Sequence, residues 1–435
     1  MEVVDYYMQQ IENYISRILL DSENGECVES VLIIENDNST KYKQLAEKLS
    51  SYSCINEMYN KSSIPKSVNL IIFDKGFQEL IKNCVVKKPL YIAGKIASNE
   101  DYFELWELYR NICQGIYFER ESETGEIEIL EWQKGDSNIE LSIIIPVYNV
   151  ENYLKGCLES LVNQTLYDIE IICVNDGSTD KSLDILNKYR KQDSRIILVN
   201  KANEGVSIAR NDGLRIAGGG YVVFVDADDY VEKCLCERLY EVIVQTNTDI
   251  IVYGAEIFPK KAVEYESWLL DTLKVKKMVY SSNCEKALFN EKCSKPFVWN
   301  KCYKRDLLYN NNIWFHKDIR LGQDNLFQFM VFPRAHEVVF IEDVLYNYRC
   351  IREDSAMYKM RNNIEWKIQM HIEIMKNVFA SWQDIGILQR YANELYRWCE
   401  YFVIKEIEKC ELPICRKNVF LENVETELNR YGFAK

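Results

Sequence analysis

Four residues near the middle of the chain carry the first chemical signal: Asp226-Ala227-Asp228-Asp229, closing the apolar run 221–225. Like charges repel, and each carboxylate loses hydration beside a core, so a buried strand that ends this way needs compensation. A bound divalent cation supplies it. In an extended chain the side chains at i and i+2 point the same way, so Asp226 and Asp228 can serve one ligand site. Their hard oxygens suit Mg2+ or Mn2+, ions that commonly hold substrate phosphates. The bland alternative is an acidic helix start, with Asp229 capping a helix over 232–245. The four residues alone leave the two readings level.

The elements around them decide. From 141 the sequence alternates apolar strand-like runs (141–147, 169–174, 195–199, 221–225 and 249–258) with helical patterns over 180–192, 206–217 and 232–245, and a helix face at Leu154, Cys157, Leu158 and Leu161. Continuous apolar strands between amphipathic helices predict an α/β fold with a mostly parallel sheet covered on both faces. Ligands of such sheets bind outside the carboxyl ends of the strands. Two more strand ends carry polar groups. Pro146-Val-Tyr-Asn149 offers Tyr148 to stack on a planar base, and Pro146 is expected to end the pairing of its strand. Asn175-Asp-Gly-Ser-Thr-Asp180 offers Asp176 as acceptor for a base N–H, with Gly177 for a tight turn. Each has a structural alternative, Tyr148 as a core aromatic and Asp176 and Asp180 as turn and cap residues. Three such ends in one unit form a constellation.

These residues resemble glycosyltransferase family 2. The resemblance runs through Ser142-Ile-Ile-Ile-Pro-Val-Tyr-Asn-Val-Glu-Asn-Tyr-Leu154, Val174-Asn-Asp-Gly-Ser-Thr-Asp180, Asn203-Glu-Gly-Val-Ser-Ile-Ala-Arg-Asn-Asp-Gly213 and Phe224-Val-Asp-Ala-Asp-Asp229. It covers 139–357 and implies a GT-A (Rossmann-like) fold, a UDP-sugar donor, Mn2+ or Mg2+ as cofactor, and transfer with inversion to a saccharide or glycoconjugate hydroxyl. Carried over by position, Pro146, Tyr148 and Asp176 resemble the uracil pocket, and Asn203 and Arg210 further nucleotide contacts. Asp226 would lie near ribose and metal, and Asp228 would be the direct metal ligand. For Arg210 the structural alternative is a solvated helix residue.

Ile319-Arg-Leu-Gly-Gln-Asp-Asn-Leu-Phe327 resembles the family segment that commonly reads Gly-Glu-Asp, whose Asp is the catalytic base. Asp324 takes that place, and Gln323 departs from the glutamate. An attacking hydroxyl must lose its proton, and a carboxylate within reach can take it. Without the neighbouring glutamate charge, either a raised pKa on Asp324 is disfavoured or an acceptor contact is changed. The alternative makes Asp324 a helix cap. Phe297-Val-Trp-Asn-Lys-Cys-Tyr303 resembles the segment before the base; Trp299, Asn300 and Gln323 are candidate acceptor contacts. Trp299 is either a sugar platform or a buried aromatic. Tyr348-Arg349 and Arg352-Glu-Asp-Ser355 resemble a closing loop that meets the diphosphate.

The remaining sequence bounds these readings. At 435 residues and 28% charged, with a net charge of −14, the chain reads as globular, multi-domain and unsuited to non-specific nucleic-acid binding. The 15 cysteines include no C-x-x-C pair, and an odd number of thiols fits a reducing cytoplasm better than a disulfide framework. No apolar run reaches membrane-spanning length and the N-terminus is acidic, so a cytoplasmic protein is expected, with peripheral membrane association through a partner left open. Residues 1–138 read as a small α/β domain, with strands at 30–35, 68–73, 89–93 and 114–119, helices at 3–20, 42–49, 77–83 and 99–113, and an acidic boundary over 119–140 holding a short hairpin at Thr124-Gly125. Its role and any homo-oligomer or assembly partner are unassigned. Residues 358–435 read as a helical region, with helices at 361–380, 387–409 and 420–430. Two functional alternatives stand beside an active transferase: a transferase-like scaffold that has lost its chemistry, and a nucleotidyltransferase, which normally needs a basic phosphate loop not visible here.

Overall fold

The computed structural model describes residues 140–259, 267–350 and 363–433, together with the backbones of six strands before them. The chain divides into two compact units: Met1–Asp136 with Ile197–Asn200, and Ser137–Ile196 with Lys201–Lys435.

In the first unit β1 (Val31–Ile34), β2 (Cys54–Ile55), β3 (Leu70–Phe73), β4 (Tyr91–Ile96), β5 (Gly115–Glu121) and β6 (Ile127–Gln133) form one sheet, in the order β2-β1-β3-β4-β5-β6. The first five are parallel; β6 turns back against β5, with Glu121 opposite Ile127. The acidic stretch after 119 therefore contains a strand, because Glu126, Ile127, Glu128 and Ile129 alternate with period two. The four helices expected before 114 lie outside the described residues.

The second sheet is wound around β7 (Leu141–Val147), α1 (Leu154–Val162), β8 (Ile169–Asp176), α2 (Ser182–Arg190), β9 (Ile196–Lys201), α3 (Val206–Ile216) and β10 (Tyr221–Phe224). Strands run β9-β8-β7-β10, with β7 parallel to β8 on one side and to β10 on the other. The winding reverses between β7 and β10, and their carboxyl ends flank the crevice where such sheets take ligands. Pro146 does not end the pairing of β7: Val147 still pairs with Asn175. Ile144 accepts from Val225 N–H on the β10 side. Two residues on, Pro146 lacks its N–H on the side where β10 has already stopped.

Beyond β10 the sheet becomes mixed. β14 (Lys301–Lys304) lies antiparallel between β10 and β12 (Ile250–Phe258), and β15 (Val338–Arg349) runs parallel to β12. β11 (Tyr230–Val231) and β13 (Met278–Tyr280) pair antiparallel to β15. The helix after the carboxylate cluster, α4 (Leu235–Thr246), starts at 235 behind Cys234, so Asp229 caps nothing. The helices after 363 share this compact unit. α5 (Gln323–Val331) packs on α6 (Ile364–Asp384), where buried Trp382 donates its Nε1–H to the Phe329 carbonyl at 2.8 Å. The expected helix over 387–409 runs without interruption from Ala392 to Lys409, widening to π-type turns over Glu400–Ile404. The last helix, Ile414–Arg430, begins directly after Pro413, whose fixed φ suits a helix start. No helix among the described residues is long and apolar enough to cross a membrane.

Candidate functional site

The loops after β7 and β8 are stitched to each other. Asn149, held at a φ of 49°, accepts the Thr179 N–H at 2.7 Å and donates its own N–H to Ser178 Oγ. Asp180 accepts from the backbone of Glu151 and Ser182, and Ser182 Oγ accepts from Val150 N–H. These bonds satisfy loop backbone that has left the sheet, and they fix Tyr148 at the strand end, where it is 48% exposed. Tyr148 is thus no core aromatic.

Asp176 is buried and uses both carboxylate oxygens, one on Glu204 N–H at 2.9 Å and one on Gly205 N–H at 2.8 Å. Asn203 donates its side-chain N–H to the Asp176 carbonyl. Gly177 has φ +68°, and a Cβ there would lie 2.6 Å from Asn203 N, so the close approach of the two loops needs glycine. Lys201, which the sequence did not single out, sits buried 4.0 Å from Asp176 and 2.8 Å from Asp212. Only its place at the end of β9 could have marked it.

The three carboxylates separate in role. Asp229 is buried and accepts from Tyr346 Oη and from Arg349 N–H, both at 2.6 Å. Burial, with the charges of Asp228 and Asp226, drives its pKa well above the usual carboxylate range. Tyr346 is a second residue absent from the sequence reading; its hydroxyl also accepts the Asp226 N–H. Arg349 donates Nε–H to the Asp228 carbonyl at 2.8 Å, which brings one of the expected closing-loop arginines to the cluster. Arg352 lies outside the described residues. Asp226 and Asp228 are only partly buried. Among the described residues no three His, Cys, Asp or Glu side chains converge as a metal cage. A small hard cation held by one or two carboxylates and completed by substrate phosphates does not require one, and the crowded charges around Asp228 fit such a shared ion.

Arg210 faces inward. It is 3% exposed, donating Nη2–H to Asp226 at 2.8 Å and Nη1–H to Asp324 at 2.7 Å. Burial opposes its charge, but the two carboxylates more than offset that and raise its pKa further. The solvated-helix alternative for Arg210 is excluded by this burial. Asp324 lies in the first turn of α5 behind Gly322, so it is not the cap. Its second oxygen faces Val298 N–H at 3.4 Å. Its pKa is raised even though Gln323 replaces a glutamate: burial is the main cause, Arg210 opposes it, and Asp226 supplies a negative charge. Desolvation by itself raises the Asp324 pKa without the charge of a neighbouring glutamate.

The acceptor candidates fare differently. Trp299 is 2% exposed and stacks on Phe297, Tyr346 and Tyr348 at 4.5, 4.3 and 5.2 Å between centroids. It presents no face to a sugar, so the buried alternative holds. Asn300 is buried too, accepting from Lys301 Nζ through Oδ1. Gln323 stays partly exposed beside Asp324. The structure joins Arg210, Asp226 and Asp324 directly, sets Asp176 against Asn203, and places Pro146, Tyr148 and Asp228 at strand ends of the same sheet, while Trp299 and Asn300 lie in the core.

Comparison with known proteins bears on the family and the fold. The model of the family described as "Glycosyl transferase family 2" matches residues 142–301. The uncharacterized glycosyltransferase EpsJ of Bacillus subtilis (strain 168) is 37% identical over 211 residues, 48% of this chain and 60% of EpsJ. The protein named "Putative glycosyltransferase EpsH" of the same organism is 31% identical over 276 residues, covering 62% of this chain and 76% of EpsH. The crystal structure of S. aureus TarS 1–349 in complex with UDP-GlcNAc has a TM-score of 0.55 at 21% identity, covering 67% of this chain and 81% of that one, and shares the fold. With the strand-end motifs, the mixed sheet and these relatives in agreement, the chain belongs to glycosyl transferase family 2.

Proposed function

We propose that this chain moves a sugar from a UDP-sugar to a hydroxyl of a saccharide or glycoconjugate acceptor, inverting the anomeric carbon. The observation that carries the reading is the convergence, at the β7/β10 crevice, of an exposed aromatic, a carboxylate cluster and a separate, partly buried carboxylate. Tyr148 stacks on the uracil beside Pro146. Asp176 turns lone pairs not used by Glu204 and Gly205 toward the base N–H. Asn203 anchors the loop that walls the base, and Asp226 lies toward the ribose. UDP-GlcNAc in the fold relative TarS makes that donor the first to test.

Asp324 is the base. As the acceptor oxygen bonds to the anomeric carbon, its proton passes to Asp324 and the carbon–oxygen bond to the diphosphate breaks, the electron pair leaving with UDP. One displacement suffices, so no nucleophilic side chain is needed. Mn2+ or Mg2+, held by Asp228 with Asp226 beside it, would supply charge neutralisation to the departing diphosphate. Arg349, pinned at the cluster, adds a cation on that side. A cytoplasmic site of action, read from the thiols, belongs to the same proposal. Calorimetry with UDP and Mn2+, followed by a UDP-release screen over donors and acceptors, tests it. Metal-dependent UDP binding with turnover is expected, and Asp228→Ala is expected to remove both. Binding without turnover for every pair would favour the scaffold alternative.

A further inference from the structure

The resemblance makes Arg210 a nucleotide contact, yet its surroundings leave it facing two carboxylates. Both terminal nitrogens are taken, one by Asp324 and one by Asp226, and Nε makes no protein hydrogen bond. The guanidinium lies over the Phe315 ring, 5.3 Å from its centroid. Phe315 in turn stacks on Phe327 at 4.2 Å and meets Phe224 edge-on at 5.2 Å. Phe224 is two residues before Asp226 at the end of β10, and Phe327 three residues after Asp324 on α5. Phe315, the ring the arginine faces, is therefore backed by rings from the two stretches that carry its carboxylates. α3 clamps Phe315 as well: Asn211, next to Arg210, donates to the Phe315 carbonyl at 2.9 Å and accepts its N–H at 2.8 Å.

We propose that Arg210 is a positioning residue: it locks the base Asp324 to the donor-side Asp226 through one fork and does not bind the nucleotide. The inference rests on the transferase reading above. A planar guanidinium can hold two carboxylates in a fixed relation; an ammonium on a flexible stem holds a point charge and no fixed angle. The donor's reacting carbon and the acceptor hydroxyl are aligned from opposite sides of this link, so loosening it costs transfer more than donor affinity.

The test uses the full chain and UDP-GlcNAc, or whichever UDP-sugar the wild type turns over. For R210K the expected result is a fall in kcat of about tenfold or more, with the UDP Kd in Mn2+ changed less than about threefold. The R210K–D324N double variant is expected to be no slower than D324N alone, because both act on the same group. Weakened UDP binding with kcat unchanged, or losses that multiply, overturns the inference. Should R210K not fold, Phe315→Leu loosens the backing while keeping the ion triad. It is expected to lower kcat at constant UDP affinity, and an unchanged kcat overturns the inference. If the wild type turns over no UDP-sugar, the transferase reading fails and the inference with it; an active wild type with either contrary result fails the inference alone.

Discussion

Asp324 shows how opposing effects set one group. Burial raises its pKa, Arg210 lowers it and Asp226 raises it, with a net rise. A base works only when ionised, so turnover should fall as pH drops through a value above that of an ordinary aspartate. Gln323→Glu would place a second negative charge beside it. Like charge disfavours ionisation, so the acidic limb of kcat/KM should move up. A limb that stays or moves down would show that Gln323 does not face the base. Asp324 was legible in the sequence because Gly322-Gln-Asp is a local pattern. Trp299 was not, because its burial depends on Tyr346 and Tyr348, more than forty residues away. Arg210 was found by pattern, but its partner Asp324 lies 114 positions distant.

At the scale of elements, β14 carries a buried cation into the sheet. Lys301 donates to the carbonyls of Cys293 and Phe297 and to Asn300 Oδ1, holding the segment whose Val298 N–H faces Asp324. Burial lowers its pKa to about 7. Between that value and the ordinary lysine value near 10.4, the unfolded chain keeps a proton that the native chain has lost. Stability contributed by Lys301 therefore rises with pH above about 7, by up to ~1.4 kcal/mol per unit, and is least below it. Urea unfolding of wild type and Lys301→Met between pH 7 and 8.5 should show this slope in the wild type and a flatter one in the variant. Equal slopes would mean that the three oxygens keep the lysine charged. Elements with long apolar runs, β7 and β8 above all, stood out in the sequence. β11, β13 and β14 span two to four residues, too short for a period to show, and so the antiparallel end of the sheet was missed. Asp229 was misplaced for a related reason: β11 intervenes before α4 begins.

Across the second unit, the C-terminal helices support the Asp324 helix from behind. A Cβ on Gly322, the residue before α5, would lie 2.7 Å from Ile374 Cδ1 of α6, and Trp382 of α6 bonds to α5. Trp382→Ala should cost about 3–5 kcal/mol by chemical denaturation, the range for emptying a buried tryptophan site. A loss under ~1 kcal/mol would show that α6 is dispensable to the packing of α5. The helical period of 361–380 was readable, but its docking on α5 was not, since amphipathic spacing names a buried face and not its partner. The central claim is that Asp324 takes the acceptor's proton in a metal-assisted transfer from a UDP-sugar. Its most direct test is UDP release and product formation with Mn2+ by wild type and Asp324→Asn, at saturating donor. The wild type should carry out transfer, and the variant should lose it on the order of 10²–10⁴-fold with UDP binding retained. Full transfer by Asp324→Asn would contradict the claim.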